Sequence, residues 1–191
     1  SGTLLQQYDV ADRPTSITAP NGSVTQFNYD DLGNLLSEIS PDRGTVVYQH
    51  DSSGNLTQQT DARGITVNYS YDALNRLTLA DYPGSNDDIT YQYDSCTNGI
   101  GRLCHVTDQS GSSNYQYSAF GEISQISKTE LGQTVVTAYQ YDLAGRVSQL
   151  TYPSGQVVTY SRDARGLISN VTTSFAGIQT QVVSNREYRA D

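Results

Sequence analysis

Tryptophan and methionine are absent from the 191 residues, phenylalanine occurs three times and cysteine twice. A core filled by Trp, Phe or Met is short of its fillers, and two cysteines allow at most one disulfide within the chain. Cations are scarce too: eleven Lys and Arg against twenty Asp and Glu leave a formal charge of −9. Nucleic-acid backbones need clustered Lys and Arg, so DNA or RNA is excluded as the main partner. No apolar run reaches the roughly eighteen residues that a membrane helix needs, and no basic-then-apolar leader opens the sequence. The Ser-Gly start without methionine predicts a fragment of a longer parent.

What is present is fifteen Tyr, sixteen Gly and many Ser, Thr, Asn and Gln. Tyr and Thr suit a half-buried pleated surface, and the usual helix formers do not dominate, so the class expected is all-β. Length alone allows one domain or a stack of small units.

Internal self-similarity decides for the stack. Tyr8-Asp9, Tyr29-Asp30, His50-Asp51, Tyr71-Asp72, Tyr93-Asp94, Tyr117-Ser118, Tyr141-Asp142 and Arg162-Asp163 recur at intervals of 21, 21, 21, 22, 24, 24 and 21 residues. Residues 1–7 then lead in, residues 8–187 hold eight repeats starting near 8, 29, 50, 71, 93, 117, 141 and 162, and Tyr188 opens a truncated ninth over 188–191. Four residues after each first member stands Asp12, Gly33, Gly54, Asn75, Gly121, Gly145 or Gly166, with Gly101 in the same role behind a four-residue insertion. Gly, Asn and Asp enter a positive-φ conformation most cheaply, so this position predicts a tight turn. A second glycine follows in every unit, at Gly22, Gly44, Gly64, Gly84, Gly111, Gly132, Gly155 and Gly177, giving each repeat two turns and two strands.

The strand entering Tyr-Asp alternates: in "GITVNYSYD", Ile65, Val67, Tyr69 and Tyr71 share one face. Stacked repeats line such Tyr-x-Tyr pairs into ladders, and cross-strand aromatic pairs contribute roughly 0.2–1 kcal/mol each. In the strand leaving the turn, apolar residues fall three apart, as in Ile123/Ile126, Val147/Leu150 and Ile168/Val171. These short Ser- and Thr-rich segments between glycine turns do not suit a helix, so the spacing predicts a bulged or strongly twisted strand. The aspartate is expected to accept a backbone N–H two residues on, with Arg13, Arg76, Arg102 and Arg146 folding back toward the carboxylates.

Written as strand, Tyr-Asp, two residues, Gly, Arg or Asn, Leu, strand, the units "YDDLGNLLSEI", "HDSSGNLTQQTDARG", "YDALNRLTLADYPG" and "YDLAGRVSQLTYPSG" resemble the Rhs/YD-repeat family. The resemblance runs from about residue 8 to about residue 180. It implies tandem two-stranded repeats forming a continuous, twisted and curved antiparallel strip, an arc of a hollow β-shell. In bacterial polymorphic toxins and toxin-complex subunits such a shell encloses a C-terminal toxin, and animal teneurins carry a similar region. Too few repeats for a closed shell are present, and the Asp-Pro motif that ends bacterial shells is missing. The fragment is therefore expected to be a stretch of wall from a secreted or cell-surface protein, with neighbouring repeats of the parent and an enclosed toxin or a surface glycan as partners. A strip one hairpin wide also exposes open β edges, which predicts edge-to-edge self-association that sedimentation checks.

Other constellations carry less. Cys96 and Cys104 flank "TNGIGRL", the insertion of the fifth unit, and face each other if the strands pair. A disulfide is the favoured reading, worth about 2–3 kcal/mol in so small a loop; two thiols in a cytosolic protein are the alternative. Cys-x7-Cys lacks paired His, so no metal site is expected there. His50 fills a Tyr slot and His105 follows Cys104, and neither has a serine context that makes a catalytic triad. Recurring aspartates are explained by the unit rather than by an active site, so no enzyme activity and no cofactor is expected. Asn86, Asp87 and Asp88 match no calcium loop, and Asn21, Asn55, Asn68 and Asn170 stand in glycosylation-type triplets that chance supplies in this composition. The function expected is a non-catalytic shell wall; the alternative is a carbohydrate- or surface-binding repeat using exposed Tyr.

Overall fold

The computed structural model describes residues 3–84, 86–184 and 186, so the segment from Tyr188 expected to open a ninth repeat lies outside the described residues. The chain divides into two compact units, 1–90 and 91–191. Among the described residues every regular element is a strand.

The first unit contains β1 (Leu5–Tyr8), β2 (Pro14–Thr18), β3 (Val24–Tyr29), β4 (Leu35–Ser40), β5 (Gly44–His50), β6 (Leu56–Thr60), β7 (Thr66–Tyr71) and β8 (Leu77–Asp81), and β9 (Ile89–Tyr93) starts in it. Each strand pairs antiparallel with the next in sequence, from β1–β2 through β8–β9. The second unit continues with β10 (Leu103–Asp108), β11 (Gly111–Tyr117), β12 (Ile123–Glu130), β13 (Gln133–Tyr141), β14 (Val147–Thr151), β15 (Val157–Arg162), β16 (Ile168–Phe175) and β17 (Ile178–Val183), again paired in order. Both are antiparallel meanders, as the repeat predicts. Turn residues explain the short connections: Asp12, Gly33, Gly54, Asn75, Gly101, Gly121, Gly145 and Gly166 all have positive φ, and so do the second-turn glycines.

The three-residue apolar spacing is a bulge. Tyr117 pairs with Ile123 and Gln116 with Gln125, so Ser124 is extra, and Ile126 comes back opposite Tyr115 on the same face as Ile123. The same register shift places Thr15, Leu36, Thr57, Thr78, Ser148 and Ser169 outside the ladder. Where the extra residue is threonine its hydroxyl can return to the opposite backbone: Thr57 Oγ1 donates to the Gln49 carbonyl (3.2 Å) and Thr78 Oγ1 to that of Ser70 (3.1 Å).

Register also sorts the faces. In the first unit Phe27, Glu38, Val46, Tyr48, Val67, Tyr69, Ala80 and Ile89 fall on one face, and the buried residues Glu38, Ser40, Val67 and Ala80 all belong to it. The other face mixes amides and hydroxyls with the exposed aliphatic side chains of Val24, Ile39 and Val47; on it Asn28 Nδ2 donates to Ser37 Oγ (2.8 Å) and Gln58 Nε2 to Asn68 Oδ1 (2.9 Å). Among the described residues no large side chain is fully buried. With so little core, cohesion has to come from ladder hydrogen bonds and from contacts between successive repeats.

Candidate functional site

The feature built most consistently is the Tyr-Asp turn. Asp30 N–H donates to the Asn34 carbonyl (3.0 Å) and Gly33 N–H to that of Asp30 (3.1 Å), closing the loop. Asp30 Oδ1 accepts the N–H groups of Leu32 (2.9 Å) and Asn34 (2.7 Å), and Oδ2 accepts Asn34 Nδ2 (2.8 Å). Asp9, Asp51, Asp72 and Asp142 make the same three bonds, with the fifth-position side chain being Arg13, Asn55, Arg76 and Arg146. In the eighth unit, where Leu167 cannot serve, Arg165 binds Asp163 Oδ2 instead. Ser118 replaces Asp in the sixth unit and Glu122 replaces the cation, and the pair inverts: the Ser118 hydroxyl donates to the Glu122 carboxylate.

These bonds act on the carboxylates. The Arg13, Arg76, Arg146 and Leu167 backbone N–H groups hold Asp9, Asp72, Asp142 and Asp163 below the usual carboxylate value, and the Asn34 and Asn55 side chains do so for Asp30 and Asp51.

The residue after the turn also reaches forward. Arg13 Nη1 donates to the Asp30 carbonyl of the next repeat (3.0 Å) while its guanidinium lies 4.9 Å from the Tyr29 ring centre. Arg146 Nη1 reaches the Gly166 carbonyl (3.1 Å), and Asn55 Nδ2 reaches Asn75 Oδ1 (2.9 Å). Arg102 differs from the expected pattern. Its Nη1 donates to the Ile100 carbonyl (3.1 Å) and its guanidinium sits 5.4 Å from the Tyr117 ring centre, because the insertion lengthens its own turn. Asp94 Oδ1 accepts Gly101 N–H there (2.6 Å).

Sequence reasoning missed the role of the tyrosine hydroxyl. Tyr29 donates to the Pro14 carbonyl (3.1 Å), Tyr71 to Leu56 (2.9 Å), Tyr117 to Leu103 (2.6 Å) and Tyr141 to Ile123 (2.7 Å). Each acceptor opens the outgoing strand of the preceding repeat, so each phenol fastens one unit to the one before. Arg162 takes the slot in the eighth unit and its Nη2 reaches the equivalent Val147 carbonyl (3.2 Å). The slot thus holds Tyr, His or Arg and never Phe, although Phe27 is accepted two residues upstream; that contrast was the signal available. Burial raises the Tyr71, Tyr117 and Tyr141 phenols above their usual value, with the Asp51 charge adding at Tyr71.

His50 occupies its Tyr slot with Nδ1 buried and lacking a hydrogen-bond partner. His105 is held between Asn114 Oδ1 (2.7 Å) and Thr107 Oγ1 (2.9 Å). Asp88 Oδ1 accepts Tyr82 N–H (2.9 Å) and so closes its own loop. Cys96 and Cys104 come together as a disulfide with Cα atoms 5.4 Å apart.

The teneurin YD-shell family model matches residues 2–136, and the RHS repeat model matches 124–157 and 141–178. No curated protein matches the chain by sequence. Among solved structures, the chain resembles a TcdB2-TccC3-Cdc42 crystal structure at 17% identity and a TM-score of 0.80, covering 97% of this chain and 11% of that one. It also resembles a Tc holotoxin pore from Photorhabdus luminescens (16%, TM-score 0.80, 98% and 11%) and TcdB2-TccC3 without its hypervariable C-terminal region (15%, TM-score 0.68, 98% and 12%). The chain therefore spans only about a tenth of the length of these relatives in fold. With one family model covering well over half the sequence and a second covering its later repeats, the chain belongs to the YD-shell, or Rhs-repeat, family.

Proposed function

We propose that the chain is a non-catalytic wall segment of a secreted Rhs-type shell that encloses or presents a C-terminal toxin or effector polypeptide. The observation that carries this reading is the fastening of successive repeats by Tyr29, Tyr71, Tyr117 and Tyr141 in units with almost no core of their own. Such a strip gains stability by continuing, which suits a wall. The neighbouring repeats of a longer chain are its first partners, and its open strand edges are the surfaces through which copies would associate. A glycan-binding role draws less support, since the slot tyrosines commit their hydroxyls to backbone carbonyls.

The test is to purify the full-length polypeptide natively and then denature it for mass spectrometry. A C-terminal piece that stays associated until denaturation is expected. One intact chain whose C-terminal region is cleaved freely by added protease would contradict enclosure.

A further inference from the structure

We propose that the Cys96–Cys104 disulfide turns the insertion of the fifth repeat into a brace for the sixth, so that reduction loosens the strand end at Tyr117 selectively. The loop reaches across to that residue's backbone from both sides: Tyr117 N–H donates to the Thr97 carbonyl (3.2 Å), and Asn98 Nδ2 donates to the Tyr117 carbonyl (2.9 Å). These two bonds come in addition to the phenol-to-Leu103 bond and the Arg102 contact, whose counterparts Tyr29 makes with Pro14 and Arg13 without any insertion.

The braced repeat is the one that lacks the turn aspartate. Where Asp72 Oδ1 accepts two backbone N–H groups and Oδ2 binds Arg76, Ser118 Oγ accepts only that of Phe120 (3.1 Å) and donates its O–H to the Glu122 carboxylate. The insertion therefore supplies, from the preceding repeat, backbone partners next to the weakened turn.

Gly99 ties the loop to the oxidised state. Its φ is outside the positive range, so backbone strain does not call for glycine. A Cβ there would fall against both sulfurs, 2.5 Å from Cys104 Sγ, and 2.9 Å from the Cys96 carbonyl oxygen. The loop residue is fitted to a bridged pair. Reduction by a dithiol breaks the Sγ–Sγ bond: two electrons and two protons pass to the cysteines, two thiols form, and the dithiol closes to its own disulfide. The closed loop then loses the constraint that holds Thr97 and Asn98 toward Tyr117.

Amide hydrogen exchange of the whole chain tests this, before and after dithiothreitol has produced two titratable thiols. The Tyr117 amide is expected to exchange several-fold to about tenfold faster after reduction, the consequence of one lost hydrogen bond, while amides around Tyr141 keep their rates. A Cys96→Ser/Cys104→Ser chain should match the reduced protein, and adding Ser118→Asp to it should slow Tyr117 exchange again. Unchanged exchange at Tyr117, uniform acceleration along the chain, or two thiols already titratable before reduction would overturn the proposal.

Discussion

Gly166→Ala is expected to destabilise the chain by about 2–3 kcal/mol, against about 1–2 kcal/mol for Gly155→Ala. Both glycines have φ of +83, so both alanines meet the left-handed penalty. They differ in what stands nearby. Nothing lies within 4 Å of a Cβ at Gly155, whereas a Cβ at Gly166 would land on the Arg146 guanidinium, 3.1 Å from Cζ. That guanidinium is held by Asp142 and by the Gly166 carbonyl, and moving it gives up about one hydrogen bond. Gly121 stands in the same relation to Arg102, with Cζ 2.8 Å from a built Cβ, and Gly121→Ala should group with Gly166→Ala. Denaturant midpoints measure the difference, and Arg146→Ala should remove most of the excess at Gly166 in a double-mutant cycle. Equal losses at Gly155 and Gly166 would show that the turn glycine answers only to φ.

Asp72→Ala is expected to lower the thermal midpoint by several degrees at neutral pH, while Asp31→Ala at an exposed turn position changes it little. The substitution leaves the Leu74 and Arg76 N–H groups without their carboxylate acceptor and removes the Oδ2 acceptor of Arg76 Nε. Asp72→Asn, which keeps an acceptor oxygen, should fall between the two. The pH dependence separates this from simple loss of packing. Because the folded carboxylates titrate below their ordinary value of about 4, their contribution is complete above that value and is lost as pH falls through the folded values. Wild type and Asp72→Ala should therefore converge on acidification. At the alkaline end the sign reverses. The Tyr71, Tyr117 and Tyr141 phenols are raised above about 10, so their contribution is complete below that value and is lost as pH climbs through the folded values. A stability plateau across neutral pH with declines on both sides is the expected profile.

Much of this was legible because the repeat constrains the backbone. Positive φ is met most cheaply by Gly, Asn or Asp, and the first-turn position of all eight repeats carries one of them, so Gly33, Asn75 and Gly145 could be assigned without coordinates. The Ile123/Ile126 spacing gave away the bulge because one extra residue in a strand turns a period of two into a step of three. What stayed hidden depends on register between repeats. That Tyr141 reaches the Ile123 carbonyl follows only once the turn and the bulge are both placed, and neither distance is local in sequence. Arg102 was expected to follow Arg13, but the insertion before it changes where its backbone leaves the turn. Asn98 had no sequence signature at all, since its partner lies nineteen residues away.

The most direct measurement is the denaturation free energy of Tyr→Phe substitutions in the two tyrosine positions of the repeat. Tyr117→Phe and Tyr141→Phe keep the ring and delete the hydroxyl that reaches the preceding unit, and each should cost about 0.5–1.5 kcal/mol. Tyr115→Phe and Tyr139→Phe, two residues upstream on the same face, should cost a small fraction of that. That split would establish that the repeats are fastened one to the next through the slot residue. Equal losses at both positions, or none at Tyr117 and Tyr141, would contradict it and leave ring packing alone to join the units.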